Sequence, residues 1–532
     1  MGSFPEIVLA TINAKWIHPS LALRLLKVNL CSLEDACEIM EFALRQPLKE
    51  KTESILAARP RILGLSVSIW NHKATLELLE ALETAWNKNL HDEKPDTARK
   101  PIVVLGGPEV SWLKEDTEIF RHTDYVIRGE GEESFRVLCN KLLDDKGLVK
   151  ESGNNAGVKK TVFINSGCTT VSLNEIASPY RLYTYEDLSL KHIYVEASRG
   201  CPFNCEFCQA SVKKQASVKK QASIEKQTAG KQHASAVESG LQQVREFPFE
   251  PFLEDMEKLI DRGGRTFKFL DRTFNLDTER ATRIMGFFVE QIKAAENREN
   301  KGSGKKRALC VHFEMVPFRF PAELKELIRH FPPGTLRLEL GIQTFNPQTR
   351  ALVRLSGDVA EELSTLEFLR RETNAIVHAD LIAGLPAENL SSFGAGFDRL
   401  WQAMSASEGR HSDTPHFEIQ LGILKCLPGT PISRHNETYG MRYSAEPPYE
   451  IIETKVINAG ELGKIKNFAR FWELIVNRNP FPDLIPRLLP EGKPVFDKFM
   501  SLSDKLLERS GRNWGIDRNE LRLYLETLLS DT

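Results

Sequence analysis

Three cysteines, Cys201, Cys205 and Cys208, fall at a CxxxCxxC spacing in the run Arg199-Gly200-Cys201-Pro202-Phe203-Asn204-Cys205-Glu206-Phe207-Cys208. No other stretch restricts the fold as much. The preceding run, His192 to Ala197, is short and rich in β-branched and aromatic residues, so it reads as a strand. The cysteines then occupy a loop at the carboxyl end of a strand, where parallel α/β folds build their sites. Three thiolates in one tight loop suit a metal or an iron–sulfur cluster better than a disulfide. Such clusters are normally held by four cysteines. Three would leave one iron of a [4Fe-4S] cluster open to another ligand. A zinc site completed from elsewhere and three plain buried thiols are the competing readings.

The 532-residue chain is long for one core, and roughly two to four domains are expected. Lys and Arg total 71 against 73 Asp and Glu, a net charge of −2, so no global basic field points to nucleic acid. No apolar run reaches the length of a membrane helix, and the N-terminus lacks a signal peptide's charged start and apolar core. The nine cysteines are scattered apart from the triplet, a reduced, cytoplasmic pattern rather than a disulfide framework.

In the N-terminal third, Glu6 to Ile12 reads as a buried strand, and Ser20 to Leu33 as an amphipathic helix capped by Ser20. Further strands are expected at Cys37 to Ala43, Ile62 to Ile69, Ile102 to Leu105 and Tyr125 to Ile127, with helical stretches between. This alternation predicts an α/β unit, a Rossmann-like, flavodoxin-type parallel sheet over about residues 1–145. Ser66, Ser68, Trp70 and Asn71 end one strand, Gly106, Gly107, Pro108 and Glu109 another, and Gly129, Glu130 and Gly131 a third. Glycines there let backbone approach a ligand, although turns and caps explain the same residues. Residues 146–189 read as a polar connection with one hairpin, Thr161 to Ile164 and Thr170 to Leu173.

After the cysteines, residues 210–227 repeat Ala-Ser-Val-Lys-Lys-Gln with drift. About 210–240 reads as a low-complexity insertion, either a solvated excursion or a basic lid or tether. A helix at Pro251 to Arg262 follows. Strands then end in Asp271 and Arg272, in Glu314, in Glu339 and Gln343, in Asp380, and in Lys425. With the strand before the cysteines they make six, separated by helices, which fits a partial (β/α)6 barrel over about 190–435. Polar residues at these strand ends point into the barrel mouth. From about 436 to 532 helical patterns dominate, at Ile451 to Asn477, Val495 to Glu508 and Asn519 to Leu529, and an all-helical domain is expected. Its aromatics, Phe468, Phe471, Trp472, Phe496 and Phe499, read as packing.

The line Glu196-Ala197-Ser198-Arg199-Gly200-Cys201-Pro202-Phe203-Asn204-Cys205-Glu206-Phe207-Cys208 resembles the radical SAM signature, with an aromatic residue before the third cysteine. In that superfamily the open iron is chelated by the amino and carboxylate groups of S-adenosylmethionine (SAM). One electron then cleaves a C–S bond to give a 5′-deoxyadenosyl radical. The resemblance implies Cys201, Cys205 and Cys208 as cluster ligands and Phe207 near the adenine. It implies Asp271 and Arg272 at the methionine head, Glu314, Glu339 and Gln343 at the ribose side, and the stretch of Asp380 beside the adenine. The runs Val104-Leu105-Gly106-Gly107-Pro108-Glu109-Val110-Ser111 and Tyr125 to Phe135 resemble the cobalamin-binding domain of cobalamin-dependent radical SAM enzymes. This implies Ser66, Ser68, Gly106, Gly107, Gly129 and Glu130 as cobalamin contacts, and methyl transfer as a possible step. One departure stands out. Where that domain typically carries Asp-x-His-x-x-Gly, this chain has Trp16, His18 and Leu21, so His18 reads as a helix-start residue, not a cobalt ligand. The helical tail resembles one appended to a subgroup of these proteins.

The implied protein is a cytoplasmic enzyme acting on a small-molecule or peptide substrate, with reduced flavodoxin or ferredoxin as electron donor. Three rivals remain. One is a radical SAM enzyme whose Rossmann-like domain binds substrate or partner without cobalamin. Another is a methylthiotransferase, disfavoured because Cys31, Cys37, Cys139 and Cys168 do not sit at strand ends. The third is a non-catalytic Fe–S binding or electron-carrier protein.

Overall fold

The computed structural model describes residues 4–92, 100–144, 161–165, 171–211, 244–299, 308–405, 417–490 and 493–530. The chain divides into two units, residues 1–197 with 246–268 and residues 198–245 with 269–532. The repeats after residue 211 lie outside the described residues.

In the first unit, β1 (Ile7–Asn13) is buried at every residue but its last, as a strand covered on both faces must be. It pairs in parallel with β2 (Cys37–Ala43) and β3 (Ile62–Ser66). With β4 (Ile102–Gly106), β5 (Tyr125–Arg128) and β6 (Val162–Asn165) they form a parallel sheet in the order β2-β1-β3-β4-β5-β6. Alternate residues of β1 serve two cores. Val8, Ala10 and Ile12 meet Leu78, Leu82 and Trp86 on one face; Ile7 and Leu9 meet Leu23, Phe135 and Leu138 on the other. Chain order reverses between β1 and β3, which leaves a crevice outside their carboxyl ends.

Three expectations are corrected here. The helix that Ser20 caps runs only from Leu21 to Val28. Asn29 stops it by donating its side-chain amide to Leu25 O at 2.8 Å, a local bond that competes with the helix ladder. β3 ends at Ser66 rather than Ile69: Ser66 opposite Gly106 is its last paired residue, closed by Val67 N donating to Gly106 O at 2.8 Å. Among the described residues, the first arm of the hairpin expected at Thr161 has a different partner. Val162–Asn165 instead pairs in parallel with β5 as the sixth strand. Thr161 fixes its start by donating to Phe120 O (2.7 Å) and Thr123 O (3.1 Å).

A second six-stranded sheet has the order β14-β13-β12-β11-β10-β7. Its strands are β7 (Ile193–Val195), β10 (Thr266–Phe269), β11 (Cys310–Met315), β12 (Leu336–Gln343), β13 (Ile376–Ala383) and β14 (Phe417–Ile423); β8 (Ser198–Arg199) and β9 (Arg245–Glu246) are two-residue strands. The strands alternate with helices, as the barrel reading expects. β11 to β14 pair in parallel. Along β11 and β12, Val311, Phe313, Leu336, Leu338, Leu340 and Ile342 are fully buried. The residues between them, His312, Glu314, Arg337, Glu339 and Gln343, are half-buried. Strand periodicity thus sorts the polar residues onto one face.

The C-terminal segment is not wholly helical. Arg442–Tyr443 (β15) and Ile451–Glu453 (β16) form an antiparallel ribbon. The helix expected from Ile451 starts at Ala459, where Asn458 and Glu461 make a capping box. It runs to Trp472 and continues as a π turn, Glu473–Asn477. Helices Phe496–Ser510 and Arg518–Ser530 follow. Phe468 and Trp472 stack at 5.6 Å, and Phe499 packs edge-on against both, at 4.8 and 4.9 Å. The aromatics pack a core, as their spacing suggested.

Candidate functional site

The cysteine loop opens at Gly200, whose φ of 109° is open to glycine and costly for other residues. Cys208 N donates to Cys205 O at 3.1 Å, so one tight turn returns the third cysteine onto the second. All three thiols are half-buried. Cys201 Sγ lies 3.6 Å from Thr273 Oγ1. Burial pushes the Cys208 thiol up; the Ala210 amide and the Arg272 charge pull it back, while Cys201 and Glu314 push it further. Cys201, Cys208, Arg272 and Glu314 therefore share one electrostatic neighbourhood. The donor set fits a cluster: three soft, half-buried sulfurs in one eight-residue loop. Among the described residues no three His, Cys, Asp or Glu side chains gather about one point as a single metal ion would need. A [4Fe-4S] cluster makes no such demand, because each thiolate goes to a different iron.

Phe207 is half-buried beside the fully buried Glu206. Asp271 is buried and accepts from Ser198 Oγ at 2.6 Å, so it braces the loop. Arg272 Nη1 stands 3.9 Å from Glu314 Oε2. Glu314, Glu339 and His378 form one row across β11, β12 and β13. Glu339 Oε2 is 3.2 Å from His312 Nε2, and Asp380 Oδ1 is 2.8 Å from His378 Nε2. Glu418 on β14 stands 3.5 Å from His378 Nδ1 and 2.7 Å from Arg337. Burial works against a charged His378. The Asp380 bond and the charges of Asp380, Glu339 and Glu418 outweigh it, and its value rises. Gln343 takes φ 66° at an irregularity of β12 and folds its amide back over Gly341. His312, His378, Arg337 and Glu418 were not singled out from the sequence. Their signal was period-two alternation, as in Val311-His312-Phe313-Glu314-Met315.

In the first unit the strand-end loops are tied together. Asn71 donates to Ser66 O (3.2 Å) and Ile12 O (3.0 Å) and accepts from Ser68 N (2.7 Å). The backbone groups of Ser66 and Ser68 are thus engaged within the loop. Gly107 has φ 108°, and a Cβ there would fall 2.5 Å from Val67 O. Ser111 Oγ donates to Gly107 O (2.8 Å) and accepts from Gly129 N (3.2 Å), joining two predicted loops. Gly106 O receives Val67 N, and Glu130 is half-buried beyond Gly129, whose φ is 93°. Trp70 stays 54% exposed at the crevice edge. His18 is committed elsewhere: its Nδ1 meets Tyr194 OH at 2.8 Å and its ring stacks on His192 at 5.4 Å.

Residues 195–399 match the family model of the radical SAM superfamily, and residues 437–521 match a protein of unknown function family, DUF4080. An uncharacterized methyltransferase of Pyrococcus horikoshii is 29% identical over 198 residues, covering 34% of this chain. The cobalamin-dependent radical SAM methyltransferase TokK of Streptomyces tokunonensis is 23% identical over 410 residues, covering 74% of this chain. The matches span 36% and 51% of those two proteins, so this chain answers to only part of each. Among solved structures, the radical SAM methyltransferase TsrM of Kitasatospora setae, with tryptophan and a SAM analogue, gives a TM-score of 0.55 at 15% identity, over 99% of this chain and 100% of that one. The cobalamin-dependent radical enzyme OxsB, with aqua-cobalamin and SAM, gives 0.60 at 15% identity, over 99% and 80%.

Together these matches give an α/β chain with a segment, residues 195–399, that fits the radical SAM model. This chain carries a radical SAM domain over residues 195–399 and shares the fold of TsrM and OxsB.

Proposed function

We propose that the protein is a radical SAM enzyme. Cys201, Cys205 and Cys208 hold a [4Fe-4S] cluster, the strand ends of the second sheet take SAM, and the first unit takes cobalamin. The observation that carries this reading is the cysteine loop: three half-buried thiols in one short loop after β7, the second and third joined by a turn, inside the segment that matches the radical SAM model. When bound, the cluster supplies the electron that opens a C–S bond of SAM, and cobalamin supplies a methyl carrier.

The chain's own residues bind and orient. Arg272 offers a cation to the SAM carboxylate, and Glu314 an acceptor for its amino group or ribose hydroxyls. Glu339 and Asp380, each held by a histidine, are set in place before a ligand arrives. The carboxylates around His378 raise its value against the effect of burial and so favour its charged form beside them. The reaction proposed is hydrogen abstraction from an unactivated C–H of a small molecule or peptide, followed by methyl transfer. The electron donor is reduced flavodoxin or ferredoxin, and the compartment is the cytoplasm.

The β1/β3 crevice and the loops carrying Gly106, Gly107, Gly129 and Glu130 fit a planar cofactor. Gly107 and Gly129 hold positive φ there, and Trp70 offers an exposed ring. His18, bonded to Tyr194, would not ligate cobalt in this reading. The test is the cobalamin content of protein purified anaerobically from cobalamin-fed cells. A stoichiometric amount supports the assignment. None, with the cluster intact, favours a second reading in which the first unit binds substrate or partner. Asn71, which already engages Ser66 O and Ser68 N, speaks for that alternative.

A further inference from the structure

Glu206 stands between the second and third cysteines, and its residue is 0% exposed. A carboxylate is buried only where it is paired. Oε1 lies 3.0 Å from Arg354 Nε and 2.7 Å from Arg434 Nη2, as ion pairs rather than aligned hydrogen bonds. Oε2 accepts from Arg434 Nε at 2.8 Å and meets His435 Nε2 at 2.9 Å. The main chain is tied as well: Glu206 N donates to Val353 O at 3.0 Å, and Glu206 O accepts from Ile432 N at 3.1 Å. One residue of the cysteine loop is therefore held from two sides. On one side is the turn after helix Pro347–Leu352; on the other is the 3-10 turn Pro431–His435 that follows β14.

The anchors are themselves braced. Arg350 pairs with buried Glu362 at 2.6 Å and donates to Ser356 O (3.3 Å) and Gly357 O (3.0 Å), which fixes the turn carrying Arg354. Arg354 takes φ 54°, a left-handed conformation that a non-glycine residue keeps only where its surroundings impose it. Arg434 and His435 lie outside both family matches, which span 195–399 and 437–521.

The geometry points to Glu206 as a positioning residue. Its carboxylate, clamped by Arg354, Arg434 and His435, sets the direction in which Cys205 and Cys208 present their sulfurs and places a compensated charge beside the cluster. The inference rests on the radical SAM reading of that loop. It adds a role for the segment after β14, which reaches back to hold the cluster loop. Partners of this kind around metal ligands typically matter about 10- to 100-fold in metal affinity.

The test compares wild type with E206Q, R434M and H435Q. Hydrogen exchange of Cys201–Ser211 is read in the unloaded chain. Iron retention against a chelator and the reduction potential are read after anaerobic reconstitution. The clamp predicts faster exchange in all three variants and cluster loss about 10- to 100-fold faster. It also predicts potentials that move in opposite directions: upward in E206Q, which loses a negative charge, and downward in R434M, which loses a positive one. A merely structural role would not separate those signs. Wild-type exchange, retention and potential in a folded E206Q overturn the proposal. If E206Q does not fold, the same result in R434M and H435Q overturns it. If the wild-type chain takes no cluster, the radical SAM reading falls. Exchange in the unloaded chain still decides the clamp: faster in the variants supports it, equal overturns it.

Discussion

Glu388 should make the stability of this protein fall as pH rises through neutrality. It sits just beyond β13 and is 1% exposed. Oε1 accepts from Thr344 Oγ1 at 2.5 Å, and Oε2 has no hydrogen-bond partner among the described residues. Burial pushes the carboxyl up from 4.5 to about 7, and the Thr344 bond pulls it back only in part. Below pH 4.5 both folded and unfolded chains carry the proton, and the contribution is fully present. Between 4.5 and about 7 the unfolded chain ionises while the folded chain keeps its proton, so stability falls; above about 7 the contribution is lost. At 1.36 kcal/mol per unit, the whole change is about 3 kcal/mol. Glu388→Gln keeps the acceptor oxygen and has nothing to titrate. Denaturant unfolding of both proteins from pH 5 to 8.5 isolates the effect. Relative to the variant, wild type should lose about 2–3 kcal/mol across that range. A constant offset from the amide's own burial leaves the slope untouched. A difference that stays flat with pH would refute the reasoning, since the folded carboxyl would then already be ionised.

Other outcomes follow from the same geometry. Glu362→Ala strands the buried Arg350 guanidinium and should cost about 3–5 kcal/mol in denaturant unfolding; a cost below about 1 kcal/mol would mean that Arg350 re-pairs. Trp472→Ala removes a fully buried ring that Phe397, Phe468 and Phe499 surround, for about 3–5 kcal/mol, read as a lower Tm. Gly107→Ala drives a Cβ against Val67 O at a φ of 108°. It should lower the Tm and release any cobalamin the first unit holds, and an unchanged Tm would show that the two loops can separate.

The sheets were readable because burial on both faces writes apolar runs, as in Ile7 to Ile12, and because period-two alternation survives in β11 and β12. Short pieces were not. Val162–Asn165 reads as a hairpin arm, because four residues carry no signal for the remote neighbour β5 that pairs with them. Ile451–Glu453 is too short a stretch to separate from the helical pattern that follows it, and Asn458 is the residue that marks the true helix start. The cysteine loop was legible as a local motif. Its clamp was not, because Arg354, Arg434 and His435 are remote in sequence from Glu206 and only the fold brings them to it. Ser111 was likewise invisible as the residue that joins the Gly107 and Gly129 loops. His312 looks like an ordinary strand residue until the register sets it beside Glu339, and the same register places His378, which pairs with Asp380 on its own strand, opposite Glu339.

In the proposed reading, the loop of Cys201, Cys205 and Cys208 supports reductive cleavage of SAM. The most direct measurement is 5′-deoxyadenosine formation by the anaerobically reconstituted protein under strong reduction, with Cys205→Ala alongside. About four irons per chain and SAM-derived product are expected in the wild type, with neither in the variant. An intact cluster that binds SAM yet yields no product across a broad substrate set would contradict it and leave an iron–sulfur binding or electron-carrier protein.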